Sequence, residues 1–383
     1  MSKIVVYGLS TEGYGLASLL AKNNTNVSII DDSTATPIPM NAEIATTYPD
    51  ILSFKEDEPL LSTESINNSL KDCQYLFFTP TIRMKDLERK PEITTKFKNA
   101  ISSIAKNTSV IYCHPTGFGG NNDNLSLLEY VTGYEVGKTV NYYYMPLESV
   151  NLLPKHIGSF DAKQNDELLK LLNLNDDQAI NTVSLSISET LYALSILDKF
   201  AKICNCLEVC KILFEDKIDP TILPSSISDL FLDDIVTLIH DLRLLDSSSE
   251  ENNTLTRMIN SNIRTIKGYI KYLTDTIKLI LKKYNLKPGK TTIAISWKFD
   301  EYEMRGDKME MLEFLITKLH DTIGNVELYN DKSHNIFHTD NTTVILTCSN
   351  NDYSLVKKNK NNSERIVIRA NPVIYDEKII VSD

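Results

Sequence analysis

The chain of 383 residues is longer than one ordinary hydrophobic core supports, so its length predicts two or three domains. A formal net charge of -11, with 42% hydrophobic residues, indicates an acidic globular protein and argues against a nucleic-acid binder, which usually carries a concentrated basic face. No apolar stretch approaches the roughly 18 residues that a membrane helix needs. Because the N-terminus enters a strand pattern at once, we expect a cytoplasmic protein with no signal peptide and no membrane partner.

The first 180 residues alternate β-branched runs with helical patterns, which is typical of βαβ units in a parallel sheet. The predicted strands are KIVVYGL, NVSIIDD, CQYLFFTPT and SVIYCHP, and the predicted helices are GLASLLAKN and TTKFKNAISSIAKN.

The segment GLSTEG, Gly8 to Gly13, follows the first predicted strand and opens the first helix. It matches the dinucleotide fingerprint G-x-G-x-x-G except that Ser10 replaces the middle glycine. In that fingerprint the glycines allow a tight turn and close packing, and the helix N-terminus faces the cofactor pyrophosphate. Asp31 ends the second predicted strand, where an acid accepts hydrogen bonds from a ribose and repels the extra phosphate of NADP. A loop that binds NAD is favoured, and a Rossmann fold with an empty pocket is the alternative.

Six cysteines are spread along the chain, and free thiols are their expected state in a large cytosolic protein. Cys206 and Cys210 lie four residues apart on a predicted helix. Because no second cysteine pair and no suitably spaced histidine accompanies them, core packing is favoured over a metal site, and we expect no bound metal.

Long helical periodicity replaces the βαβ pattern between about residues 181 and 285, and the polar run Asp246 to Asn253 within it predicts a loop. The βαβ pattern resumes at about residue 286. The sequence therefore predicts an α/β fold: two Rossmann-like parallel-sheet domains, 1–180 and 286–383, joined by a central helical dimerisation domain, 181–285.

The C-terminal block carries a resemblance to a known family. GKTTIAISWKFDEYEMRGD, Gly289 to Asp307, resembles the start of the C-terminal domain in the UDP-glucose/GDP-mannose dehydrogenase family. Lys298 and Arg305 match the lysine and the arginine of that family without a gap. Further parts of the family are similar to the opening strand, loop and helix, to the segments FFTPT, PTGFG and YYMPLESV, and to the first long helical segment. The resemblance therefore spans essentially the whole chain.

The resemblance implies a homodimer that binds NAD and a nucleotide sugar of the UDP type. The residues that it places at the cofactor are Gly8, Ser10, Thr11, Gly13, Asp31, Thr79 and Pro80. The residues that it places at the sugar nucleotide are Glu148, Lys298 and Arg305.

The resemblance fails at the covalent step of the family. Its members oxidise a sugar alcohol to a carboxylate in two hydride transfers, and a cysteine traps the intermediate aldehyde. Here Leu230 stands at the cysteine and Asp233 at the following lysine, while a second lysine and an asparagine correspond to Tyr192 and Ile196. Leucine has no nucleophilic atom, so no catalytic residue is assigned and the full four-electron oxidation is predicted to be lost.

Cys113 beside His114 is a conceivable thiolate pair, but adjacent residues of a strand point to opposite faces, which favours an ordinary loop histidine. We expect His240 at the surface and Glu301 and Glu303 in a solvated edge.

Two functions stay open. One is an oxidoreductase of CH–OH groups that keeps at most a single two-electron step. The other is a catalytically inactive binding or regulatory paralogue that acts through dimerisation.

Overall fold

The computed structural model describes residues 3–23, 25–57, 65–85, 88–148, 155–172, 180–215, 224–249, 253–321, 323–329, 342–358, 365–374 and 376–379. The chain divides into two compact units. The first unit comprises Met1–Ile196, Leu244–Glu250 and Asp300–Gly306, and the second comprises Leu197–Arg243, Glu251–Phe299 and Asp307–Asp383. A short piece of the C-terminal half, residues 300–306, thus belongs to the N-terminal unit. The predicted boundaries of three domains stay a prediction.

The first unit is built on one sheet. Its strands are β1 (Ile4–Tyr7), β2 (Val27–Ile30), β3 (Ile38–Met40), β4 (Tyr75–Phe78), β5 (Ser109–Tyr112), β6 (Asn141–Tyr144), β7 (His156–Ser159) and β8 (Asn181–Ser184). Their order is β3-β2-β1-β4-β5-β6-β7-β8. Only the β2–β3 and β6–β7 pairs among these strands are antiparallel, and the other pairs are parallel.

Helices cover both faces of this sheet. They are α1 (Thr11–Lys22), α2 (Ala42–Thr47), α3 (Ile51–Asp57), α4 (Ile66–Lys71), α5 (Arg89–Ile101), α6 (Gly120–Thr132) and α7 (Asp166–Leu171). Strand β1 is apolar throughout because it is buried on both sides. Ile4 and Val6 lie in one core cluster, whereas Val5 and Tyr7 lie in another. A strand that is buried on both sides needs an unbroken apolar run.

Helices connect the two sheets along the chain. They are α8 (Leu185–Glu215), α9 (Ser225–Ser228), α10 (Leu232–Val236), α11 (Ile239–Ser248) and α12 (Thr254–Lys283). Helix α11 continues to Ser248, where a loop from Asp246 was predicted. The hydroxyls of Ser247, Ser248 and Ser249 donate to carbonyls three or four residues earlier, which extends the last turn. Among the helices of the described residues, none is long and apolar enough to cross a membrane.

The second unit has its own sheet. Its elements are β9 (Thr291–Ser296), α13 (Asp307–His320), β10 (Asn325–Leu328), β11 (Thr342–Thr347), α14 (Asn350–Lys358), β12 (Arg365–Arg369) and β13 (Asp376–Ile379). The strand order is β10-β9-β11-β12-β13, with parallel pairs except at β12–β13. The predicted α/β class with two Rossmann-like, largely parallel sheets is confirmed.

Two glycines differ sharply in what surrounds them. Gly8 follows β1 with a φ of 119°, and a Cβ added there would lie 2.0 Å from the carbonyl oxygen of Thr79. Gly268 lies inside α12, and an added Cβ would meet nothing within 4 Å. The first glycine is required by the fold, and the second is not.

We therefore expect opposite effects from the same substitution. Gly8→Ala forces a strained φ and a backbone clash and should lower the free energy of unfolding by about 3 kcal/mol. Gly268→Ala should raise it by about 0.5–1 kcal/mol, because alanine loses less backbone entropy in a helix. Urea denaturation measures both values, and equal midpoints for the two variants would contradict this description of Gly8.

Candidate functional site

The predicted dinucleotide loop lies where β1 ends and α1 begins. The sheet order places β2 on one side of β1 and β4 on the other, so the direction in which successive strands are added reverses at β1. In open α/β sheets, ligands bind in the crevice at the carboxyl ends of the strands at such a point.

Ser10, at the middle position of the fingerprint, connects the first turn of α1 to the residue that follows β4. Its hydroxyl accepts a hydrogen bond from the backbone N–H of Gly13 at 3.0 Å and donates to the carbonyl of Thr79 at 2.9 Å. Gly13 has no room for a side chain, since a Cβ there would lie 2.3 Å from the Thr79 hydroxyl. Gly8, Ser10, Gly13 and Thr79 are therefore brought together, and the buried Pro80 follows directly.

Asp31 directly follows β2, and its carboxylate is already engaged within the chain. One oxygen accepts from the backbone N–H of Leu9 at 2.8 Å. The other accepts from the N–H of Ser33 at 2.9 Å and from its hydroxyl at 2.5 Å. A carboxylate has about four acceptor positions, so these bonds leave about one for a ribose hydroxyl.

Residues 300–306 lie across the first turn of α1. The backbone N–H of Thr11 donates to the carbonyl of Tyr302 at 2.9 Å. The N–H of Met304 donates to the Glu12 carboxylate at 2.9 Å, and the carbonyl of Met304 accepts from the N–H of Ile82 at 2.9 Å. The Met304 side chain is fully buried in a core cluster of the first unit.

A buried ion pair completes this contact. Glu12 and Arg305 have side chains only 2% and 3% exposed, and their charged atoms lie 3.7 Å apart. Arg305 also donates to the carbonyl of Leu147 at 2.6 Å and to the hydroxyl of Tyr192 at 3.0 Å. The Arg305 guanidinium, which the resemblance placed at the sugar nucleotide, thus has its partners inside the first unit. One of them is Tyr192, which the resemblance aligned with a lysine.

Arg83 holds the same segment from the other side. Its guanidinium donates to the carbonyl of Glu303 at 2.9 Å and also to the carbonyl of Glu301. The Lys55 ammonium lies 4.4 Å from the centre of the Tyr302 ring. Glu301 is exposed, as expected for a solvated edge, but the main chain beside it is fixed.

The first turn of α1 does not fit a dinucleotide pyrophosphate. Such a group is bound by the backbone N–H groups at the helix N-terminus, yet those of Thr11 and Gly13 already donate within the chain. The Glu12 carboxylate, moreover, occupies the same turn.

Cys113 and His114 do not form an activated pair. Both side chains are fully buried, and burial raises the pKa of the Cys113 thiol well above its ordinary value. The thiol is therefore protonated at neutral pH. The Nδ1 atom of His114 lies 2.8 Å from the carbonyl of Pro115 and must donate to it. Burial, and then the charge of Arg305, lower the pKa of His114 to about 3, so the ring is neutral.

The expectation that His240 lies at the surface is wrong. Its side chain is buried, and its backbone N–H donates to the Asp307 carboxylate at 3.0 Å. All six cysteines are free thiols. In the part of the chain that the structure describes, no group of three or more His, Cys, Asp or Glu residues is arranged to hold a metal ion.

The segment at the expected catalytic cysteine belongs to the second unit. Leu230 is half-buried, and Phe231 lies in the core cluster of the second sheet. Asp233 accepts from the Trp297 indole at 2.8 Å and pairs with Lys308 at 2.9 Å. Asp233, which the resemblance aligned with a lysine, thus binds two neighbours of the second unit.

Two predicted substrate residues stand apart from these contacts. Lys298, in the second unit, has an exposed side chain, and its backbone N–H donates to Asp352 at 3.1 Å. Glu148, in the first unit, is half-buried and is the last described residue before a gap.

Glu12 and Arg83 are the residues that the sequence analysis missed. Glu12 stands inside the segment GLSTEG, where an acidic side chain in the first helical turn competes with a phosphate for the positive end of the helix. That competition is a signal available from the sequence. The role of Arg83 carries no such signal, because its partners are main-chain carbonyls some 220 residues away.

No protein-family model matches the chain, and no curated protein matches it in sequence. Solved structures do match. A UDP-D-ManNAc dehydrogenase from Pyrococcus horikoshii is similar over 90% of this chain and 88% of its own, with a TM-score of 0.61 and 15% identity. A UDP-glucose dehydrogenase from Pyrobaculum islandicum is similar over 97% and 94%, with a TM-score of 0.58 and 13% identity. A UDP-N-acetyl-mannosamine dehydrogenase from Staphylococcus aureus is similar over 91% and 88%, again with 0.58 and 13%. The chain has the fold of nucleotide-sugar dehydrogenases.

The neutral His114 makes stability depend on pH. Its pKa is about 3 in the folded chain against an ordinary 6.5, so between these values the unfolded chain binds the extra proton. Stability from this group is complete above pH 6.5 and falls as the pH drops, by about 2 kcal/mol between pH 7 and 5. His114→Asn keeps a donor for Pro115 but does not titrate. Urea denaturation at both pH values should show a smaller loss in the variant, and equal losses would refute the assignment.

Proposed function

We propose that this chain is a catalytically inactive relative of the nucleotide-sugar dehydrogenases that acts by binding rather than by oxidation. The observation that carries the proposal is the buried Glu12 carboxylate in the first turn of α1, bonded to Met304 and paired with Arg305. The chain thereby supplies its own groups at the place where a dinucleotide would bring its phosphates. Leu230, without a nucleophilic atom, and the protonated Cys113 thiol support the same conclusion.

The ligand class that we propose is a nucleotide sugar, as the names of the three similar dehydrogenases suggest. Residues 286–383 would bind it, with the exposed side chain of Lys298 as a contact. Glu148 remains a proposed contact, whereas Arg305 has an internal role.

A second candidate is an oxidoreductase that binds NAD and performs one two-electron step. Asp31 favours it, because its carboxylate follows β2 and retains room for about one further hydrogen bond. In that case NAD should be preferred over NADP, since Asp31 repels a 2′-phosphate.

Thermal denaturation with millimolar NAD separates these candidates. For the native chain we expect no rise in the melting temperature, because a ligand stabilises only a state to which it binds. Mass spectrometry after long incubation with NAD and UDP-glucose should find neither aldehyde nor uronic acid. A stabilisation by NAD that Asp31→Ala abolishes would instead establish the second candidate, and uronic acid would show that the active site lies elsewhere.

A stability measurement tests the internal role of Glu12 directly. Glu12→Ala should lower the free energy of unfolding by about 3–5 kcal/mol, because Arg305 loses its buried partner. Glu43 is the matched control: it also lies in the first turn of a helix but is exposed, so Glu43→Ala should change the value by less than about 0.5 kcal/mol. Similar small losses in both variants would mean that Glu12 does not hold residues 300–306.

We also propose that the chain forms a homodimer through α8. Leu194, Val209 and Ile212 on this helix are between 50% and 62% exposed, and exposed apolar residues on one helix are typical of an interface. Light scattering at micromolar concentration should give twice the chain mass, and Leu194→Lys should shift it to the monomer. A monomer at every concentration would contradict the proposal.

A further inference from the structure

The exposed face of α12 carries a regular column of positive charge. Arg257, Arg264, Lys271 and Lys278 recur at intervals of seven residues, which corresponds to about 10.5 Å along a helix. Among the described residues, the first three have no ion pair, whereas Lys278 pairs with Asp275 at 2.9 Å. This column stands on a chain whose net charge is -11.

A second column runs beside the first with the same spacing. It consists of Met258, Thr265, Tyr272 and Leu279. Its two ends are apolar and open to solvent, since Met258 is 54% and Leu279 57% exposed.

Small residues separate the ends of this surface. Ser261 and Gly268 lie between members of the second column, and a Cβ added at Gly268 would meet nothing within 4 Å. Residues 258, 261, 265, 268, 272, 275 and 279 thus alternate in steps of three and four along one side of α12. These positions have the three-and-four spacing of a heptad seam, in which Met258, Tyr272 and Leu279 are the apolar members and Asp275 pairs with Lys278.

The opposite side of α12 is fixed in the second unit. Ile259, Ile266, Ile270, Leu273 and Ile277 are fully buried. The heptad surface is therefore presented by a helix of 30 residues that is already anchored along its length.

We propose that this surface binds an acidic amphipathic helix of another protein. A seven-residue repeat turns by about 20° per heptad around a straight helix, and a partner helix that crosses at about 20° follows it. Apolar residues of the partner would contact Met258 and Leu279, and its main chain would approach closest at Gly268. Acidic side chains every seventh residue would meet the column of arginines and lysines.

Other occupants fit this surface less well. Against a second copy of the chain in antiparallel orientation, the positive column would face itself, which is repulsive. A membrane or a nucleic acid would be attracted by the charge, but its binding does not require heptad spacing or small residues between two apolar ends. The combination of charge and spacing therefore favours a helix.

A designed peptide provides the probe. It contains four heptads with leucine at the two contact positions and glutamate at the two flanking positions, and repulsion between its own glutamates keeps it from self-pairing. Fluorescence anisotropy with the full chain should show binding that weakens between about 50 and 300 mM NaCl. A peptide with lysine in place of each glutamate should not bind.

The matching protein variant reverses two charges in the positive column of α12. Arg264→Glu combined with Lys271→Glu should weaken peptide binding by about tenfold or more. Lys71→Glu combined with Lys98→Glu, at two exposed lysines of the first unit, makes the same change in net charge and should leave binding unchanged. Circular dichroism verifies that both double variants are folded.

Several results would overturn the proposal. If the Arg264→Glu/Lys271→Glu variant bound the glutamate peptide as tightly as the native chain, or if the lysine peptide bound equally well, the positive column would have no part in binding. Binding of a short DNA duplex or of phosphatidylserine vesicles without binding of the glutamate peptide would assign the charge to another class of partner. If the native chain were a dimer and the Arg264→Glu/Lys271→Glu variant a monomer, the surface would belong to the interface with a second copy of the chain.

Discussion

The buried pair of Glu12 and Arg305 is the interaction on which the first unit depends. A carboxylate removed from water is tolerated only where charge and hydrogen bonds replace the solvent. Residues 300–306 supply both, through the Met304 N–H and the Arg305 guanidinium. Their main chain must therefore cross the first turn of α1, and the contact of the Tyr302 carbonyl with Thr11 follows from that path.

The carboxyl edges of both sheets are covered by the chain itself. In the first unit the cover is residues 300–306. In the second unit, residues 231–233 have the same role: the N–H of Leu232 donates to the Ala370 carbonyl at 2.8 Å, and that of Asp233 to the Cys348 carbonyl at 3.0 Å. In open α/β sheets this edge is the usual place for a ligand. The chain has the fold of nucleotide-sugar dehydrogenases, and its own segments pack against the carboxyl edges of both sheets.

The sequence predicted the elements whose signal is local. Strand β1 and the long helices were identified because an unbroken apolar run and a helical period are visible within one segment. The glycine loop shows the limit of such signals. Gly8 and Gly13 were assigned to a dinucleotide loop, and the structure shows the close packing against Thr79 at both positions, whereas the binding of a dinucleotide stays a prediction. A contact between residues far apart in the chain has no local pattern, which is why the packing of residues 300–306 against α1 was not predicted.

The separation of Glu12 from Met304 has a consequence for biosynthesis. Their hydrogen bond joins residues 292 positions apart. At a synthesis rate of about 5–20 residues per second, about 15–60 s pass between the emergence of α1 and that of its partner. During that time the strands of the first sheet up to β8 are already made, but Glu12 has no guanidinium to neutralise it. The N-terminal unit, although first to be translated, can reach its final state only after the whole opening strand of the second sheet, β9, has left the ribosome.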